Sequence, residues 1–175
     1  QKPRSVTMNA AFGPTGRDFA AENCDHLFTS FTDLETGKEH VTDIRTRAQK
    51  FGRSVGVYTI GHVVCRASQA EAEDYYDYYS RDMIDELAVD YHMQQKKNFS
   101  RSHEDEAFRL YKQRFAAGTG SYPLVGTPRK IAEDLAKFAE VGYSGAALSF
   151  VNYKDELPYF CQEVMPLLKE AGLRP

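Results

Sequence analysis

The short run Gly13-Pro14-Thr15-Gly16-Arg17 holds the residue types that cradle a phosphate. It follows a strand-tolerant segment, Ser5 to Ala10, and opens a helical pattern from about Thr15 to Asn23. At such a strand-to-helix turn the first backbone N–H groups have no intrahelical acceptor and the helix dipole adds partial positive charge, so an anion is favoured there. Thr15 offers a hydroxyl, Gly13 and Gly16 let a ligand approach the backbone, and Arg17 offers a forked pair of donors. Glycine at a turn also serves the turn alone, and arginine is at home on a solvated helix, so the chemistry by itself leaves both readings open.

A second group is Arg114 followed by Gly118-Thr119-Gly120-Ser121-Tyr122. A cation beside a glycine-rich loop, after a polar stretch, suits a lid that closes over an anionic substrate, although a surface arginine fits the same pattern. His62 lies inside the apolar run Val55 to Cys65, where a ring serves either as an acid or base in a site or, the reading favoured here, as a structural residue. The other histidines, His26, His40, His92 and His103, lack H-x-x-x-H spacing, and none pairs in sequence with cysteine or carboxylates in the pattern a metal site requires, so no metal is expected. No G-x-S-x-G elbow and no P-loop lysine occurs, which removes common hydrolase and nucleotide-hydrolase readings.

The elements that must position these residues follow from period and punctuation. His26 to Phe31 reads as a second strand, and Thr36 with Glu39 as a capping box for a helix burying Val41, Ile44, Ala48 and Phe51, with Gly52 as its left-handed end. Val55 to Cys65 reads as a buried strand, and Ser68 caps a helix carrying Tyr75, Tyr76 and Tyr79; without a basic stripe these rings read as core rather than as base-stacking platforms. Periodicity weakens over 82–121, the expected insertion. Thr127-Pro128 starts a helix with Ile131, Leu135 and Phe138 inward, ended by Gly142. Gly145 to Val151 reads as a buried strand, and Asp155 to Gly172 as a last helix kinked or divided by Pro166. The repeated order of helix, glycine and apolar strand predicts right-handed βα units on a parallel sheet of about four strands.

The composition fits this picture. The chain has 175 residues, 42% of them hydrophobic, with a formal charge of -3. That is enough to bury a core and gives no field to gather nucleic acid or an anionic membrane. Three separated cysteines, Cys24, Cys65 and Cys161, suggest a reducing, cytoplasmic setting rather than a disulfide framework, and no run of 18 apolar residues predicts a membrane span.

The run Met8 to Ala21, with Cys24-Asp25-His26-Leu27-Phe28, resembles the fifth strand, turn and helix of the bacterial luciferase-like flavin-dependent monooxygenases. Pro123-Leu124-Val125-Gly126-Thr127-Pro128, then Gly142, Ala147 to Tyr153, Leu157 to Phe160 and Val164 to Leu168 are similar to the C-terminal end of that family, in the subgroup that includes alkanesulfonate, dimethyl sulfide and pyrimidine monooxygenases. The resemblance spans nearly the whole chain and is weakest from about Asp82 to Gln113. It implies a (β/α)8 TIM-barrel type of α/β fold. Residues 1–175 would form its C-terminal half, strands five to eight, with a helical insertion or lid, 82–121, before the last unit. It further implies an enzyme that uses reduced FMN, delivered by a separate NAD(P)H-dependent flavin reductase, and O2 to oxygenate a small substrate, with an organosulfur compound among the candidates.

By the same resemblance Ala11, Phe12, Gly13, Thr15, Gly16 and Arg17 face the FMN phosphate, and Arg114, Gly118 and Gly120 belong to the substrate side and its lid. Relatives often carry serine where this chain has Gly13, which shifts the expected contact to a backbone N–H or to Thr15. Catalytic residues are not assigned. An F420-dependent oxidoreductase of the same fold, or a non-catalytic half-barrel that binds flavin or a partner chain, are the alternatives. The chain opens without methionine on a strand-like segment, so the expectation is a piece of a homo-oligomeric enzyme of about 350 residues.

Overall fold

The computed structural model describes residues 4–99 and 105–174, with side chains outside 96–111. The polar stretch 100–103, with His103, therefore lies outside the described residues, as do the side chains of Ala107, Leu110 and Tyr111. Strands and helices alternate along the chain, and the strand pairs β1–β2, β2–β3 and β3–β4 are all parallel. Two compact units are distinguishable.

The first unit comprises Gln1–Ile60 with Leu135–Ala147. It holds β1 (Met8–Ala10), α1 (Pro14–Asn23), β2 (His26–Phe28), α2 (Leu34–Gln49) and the first half of β3 (Gly56–Cys65). Met8 pairs with His26, and His26 with Gly56. Helix α1 starts on Pro14, whose absent N–H is not needed at a first helical position.

Helix α2 starts earlier than its Thr36–Glu39 pattern suggests. Asp33 is the cap, and its carboxylate accepts from the Thr36 N–H at 2.8 Å and from the Thr36 hydroxyl at 3.0 Å. A carboxylate on extended backbone at the helix start outcompetes a hydroxyl for the same free donors. Val41, Ile44 and Ala48 are buried together with Leu27 and Val57. Phe51 is a correction: it lies beyond the helix end and is 47% exposed. The ring of Phe31 packs edge-on to Phe138 and stacked on Tyr143, both at 5.2 Å between centroids, which supplies core where the β-strands are only three residues long.

The second unit comprises Gly61–Asp134 with Leu148–Pro175. The C-terminal half of β3 leads into α3 (Gln69–Asp77), a π-helical turn Tyr78–Asp82, α4 (Glu86–Phe99) and α5 (Asp105–Gly118). There follow β4 (Tyr122–Gly126), α6 (Pro128–Val141), β5 (Gly145–Ser149), α7 (Tyr153–Glu163) and α8 (Met165–Glu170); α6 and β5, like β3, contribute to both units. Ser68 and Thr127 cap as their positions predict, accepting from Glu71 N–H and Lys130 N–H. The final helix divides at Val164, with Pro166 in the first turn of α8.

Among the described residues the sheet has five strands rather than about four. The additional one, β4, contains Pro123, which speaks against a strand in sequence, yet Pro123 pairs with His62 and β4 stands at the end of the strand order, where proline is tolerated. β5 pairs with β3 but is shorter and less buried than its apolar composition implies, with Ala147 exposed and Val151 outside the strand at 46% exposure. Val63, Val64, Leu124, Ile131, Phe160 and Val164 form the core of this unit. Each such side chain contributes on the order of 1.5–3 kcal/mol by leaving water.

Candidate functional site

The turn after β1 is shaped by a close approach of backbone to backbone. Ala11 is buried, and its N–H donates to the Phe28 carbonyl at 3.1 Å. A Cβ on Gly16 would stand 2.6 Å from the Ala11 Cβ, so only glycine lets the first turn of α1 lie this near the strand end. Asn9 fixes the same turn from below, donating from its side-chain amide to the Gly16 carbonyl at 3.1 Å.

The first intrahelical bond runs from Arg17 N–H to the Gly13 carbonyl, Pro14 has no N–H, and no side chain caps the helix. The N–H groups of Thr15 and Gly16 are therefore the donors that the geometry of a helix start leaves for an outside acceptor. No acidic residue lies in the first turn to repel one. Gly13 has ordinary extended backbone with nothing within 4 Å of a Cβ position, and Phe12 is 64% exposed beside it.

Arg17 is placed differently from its neighbours in sequence. Its guanidinium is largely buried and pairs with Asp43 of α2 at 3.0 Å, while Arg47 holds the other Asp43 oxygen at 2.8 Å and reaches Asp18 at 2.5 Å. These four charges join α1 to α2.

In the second unit His62 is 3% exposed and satisfied on both ring nitrogens. Nδ1 lies 3.0 Å from Ser149 Oγ and Nε2 lies 2.7 Å from Tyr79 Oη. Burial holds this imidazole below its ordinary pKa and pushes the Tyr79 phenol well above its own, so both stay neutral near pH 7. Tyr79 comes from the π-helical turn, and its ring packs against Tyr75 and Tyr76. His62 is thus buried in its strand with both ring nitrogens partnered.

The expected lid residues converge on the same histidine. A Cβ on Gly118 would meet the His62 ring at 2.7 Å, so α5 ends in contact with it. Thr119 and Gly120 both have positive φ, 57° and 86°, and turn the chain from α5 into β4. Arg114 is 9% exposed, with its guanidinium carbon 5.2 Å from the Tyr122 ring centroid, and its carbonyl accepts from Gly120 N–H at 3.0 Å.

A cavity of about 420 Å3 lies at the C-terminal ends of β3 and β5, lined in part by Arg66, Tyr75, Asn152, Glu156 and Tyr159. Arg66 donates to Glu156 at 2.6 Å and sits 4.3 Å over the Tyr75 ring, and Glu156 accepts from Asn152 N–H at 2.9 Å. Sequence reading missed both the Arg66–Glu156 pair and the Ser149–His62–Tyr79 chain. Their members are separated by 17 to 90 positions, and no local motif signals them. Among the described residues no group of three metal-ligating side chains comes together, and no helix is long and apolar enough to cross a membrane.

The parallel strand pairs, with helices between the strands, define an α/β protein. A family model described as luciferase-like monooxygenase matches residues 1–145, and the chain belongs to that family of enzymes. It is 26% identical over 174 residues to an FMNH2-dependent dimethylsulfone monooxygenase of Pseudomonas putida, covering 97% of this chain and 48% of that protein. The crystal structure of DmoA from Hyphomicrobium sulfonivorans superimposes with a TM-score of 0.79 at 20% identity, covering 95% of this chain and 42% of that one. More distant in structure is an F420-dependent secondary alcohol dehydrogenase, with a TM-score of 0.61 at 15% identity and coverages of 95% and 50%. The chain spans about half the length of the curated relatives it matches.

Proposed function

We propose that this chain is the C-terminal half, strands five to eight, of a reduced-FMN-dependent monooxygenase that oxygenates a small organosulfur compound of the sulfone or sulfide class. The observation that carries the reading is similarity along 97% of the chain to a protein named for FMNH2-dependent action on dimethylsulfone. Residues 82–121 are then the insertion ahead of β4, with two strand–helix units, β4–α6 and β5–α7, after it rather than the single unit expected, and a separate NAD(P)H-dependent flavin reductase is the partner that supplies the reduced cofactor. The assembled enzyme is a homo-oligomer working in the cytoplasm.

The turn after β1 fits the phosphate of such a cofactor. Thr15 and Gly16 present uncapped N–H donors, the Thr15 hydroxyl adds a third, and open space at Gly13 leaves room for the phosphate oxygens. Asn9 orients the Gly16 peptide, and the Arg17–Asp43 pair holds α1 against α2, so Arg17 acts on the phosphate through the placement of the helix. Bound reduced FMN supplies the electrons that activate O2. Ala11, Phe12 and Gly13 form the wall beside the cofactor. On the substrate side Arg114, Gly118 and Gly120 hold the loop that joins the insertion to β4.

The reading is tested by anaerobic titration with reduced FMN and with reduced F420, followed by 18O2 turnover of dimethylsulfone and dimethyl sulfide in the full-length protein, with products read by mass spectrometry. FMN binding and incorporation of one labelled oxygen per substrate are expected. Binding of F420 alone overturns the cofactor, and FMN binding without labelled product from either compound overturns the substrate class.

A further inference from the structure

The cavity of about 420 Å3 beside Arg66 lies wholly within the second unit and has room for a small organic molecule. The buried part of its lining is electrically balanced. Arg66 places its charge on Glu156 at 2.6 Å and its plane 4.3 Å over the Tyr75 ring, and it donates to the Cys65 carbonyl at 2.9 Å. The other Glu156 oxygen accepts from Asn152 N–H at 2.9 Å. Burial pushes the Cys65 thiol up to about 11, so it is neutral near pH 7.

The exposed part of the lining is not balanced. Glu71 in the first turn of α3 and Asp155 in the first turn of α7 border the same space, and neither is paired with a cation among the described residues. Asp155 accepts from the neutral Asn152 amide at 2.7 Å. Each helix start offsets about half a unit of negative charge, so the two carboxylates together still call for on the order of one unit of positive charge. A metal ion would need ligands that converge, and among the described residues no group of three metal-ligating side chains does so. Half-buried Tyr159 adds a ring that no described cation or aromatic side chain covers. An alkylated ammonium is weakly hydrated and attracted to aromatic faces, and it meets the charge and the ring at once.

We propose that this cavity is a binding site for a small organic ammonium ion of single charge. Its cationic head lies between Glu71, Asp155 and the Tyr159 ring, and its apolar body lies toward Cys65. None of these residues belongs to the turn after β1 or to the expected lid, so the site stands apart from the flavin reading.

Isothermal titration calorimetry of the chain with choline chloride at low salt tests this, against 3,3-dimethylbutan-1-ol, which has the same shape without the charge. Choline is expected to bind at or below about 1 mM, and the neutral isostere at least roughly tenfold more weakly. Asp155→Asn is expected to weaken choline binding by roughly two- to fivefold, and Tyr159→Leu by a similar factor. Circular dichroism checks that both variants fold; the comparison of the two probes on the native chain decides the matter whether or not they do. An absence of choline binding up to about 10 mM overturns the proposal. So does an isostere that binds as tightly as choline, or a folded variant of either kind with native affinity.

Discussion

At the level of single residues, two glycines of one turn have opposite requirements. Gly16 has no room for a methyl group, since its Cβ would stand 2.6 Å from that of Ala11, whereas Gly13 has open space and ordinary extended backbone. Gly16→Ala should therefore force α1 off the strand end and cost about 1–3 kcal/mol, with loss of FMN affinity. Gly13→Ser should be tolerated or stabilising by a few tenths of a kcal/mol, because serine is a good helix cap, and should keep or raise FMN affinity. Urea midpoints and anaerobic FMN titrations check both. Equal tolerance of the two substitutions would show that the turn is not held against the strand as described. The glycines themselves were legible in sequence, but which of them the packing requires was not, because that depends on how closely helix and strand approach.

At the level of elements, caps and stops were the best-read features, since each depends on a few adjacent residues. Ser68, Thr127-Pro128 and the division at Pro166 occur where their chemistry places them. The start of α2 differs because two acceptors compete within one turn. Asp33→Ala should cost about 0.5–2 kcal/mol by removing the acceptor for Thr36 N–H, and Thr36→Ala should cost less, a ranking that thermal melts can read directly. Strand β4 escaped sequence reading because Pro123 argues against a ladder, and proline says nothing about whether its strand lies at an edge. The His62–Tyr79 and Arg66–Glu156 contacts join residues 17 and 90 positions apart, and composition gives no warning of such pairs.

At the level of the whole molecule, two desolvated histidines, buried His62 and half-buried His40, set how stability responds to acid. Burial lowers the pKa of His62, and burial with the Arg17 charge lowers that of His40. Each stays neutral in the fold while the unfolded chain takes up a proton, so stability is full above the unfolded value of about 6.5 and falls as the pH drops below it. Asp33, held low by the Thr36 N–H, adds a second loss only as the pH falls from about 3.8. Urea midpoints from pH 8 to pH 5 should decline in the native chain and decline less in His62→Gln; parallel curves would show that His62 does not carry the effect.

Strand β3 pairs with β2, which precedes it, and with β4 and β5, which follow it by some 55 to 80 residues. During synthesis at about 5–20 residues per second, an apolar ten-residue strand waits roughly 4–16 s before its last partner is made. During that interval the N-terminal half of β3 has β2 to pair with, while Gly61–Cys65 waits for β4. The rate of translation through α4 and α5, whose described residues add no strand, becomes a determinant of yield separate from the stability of the finished fold.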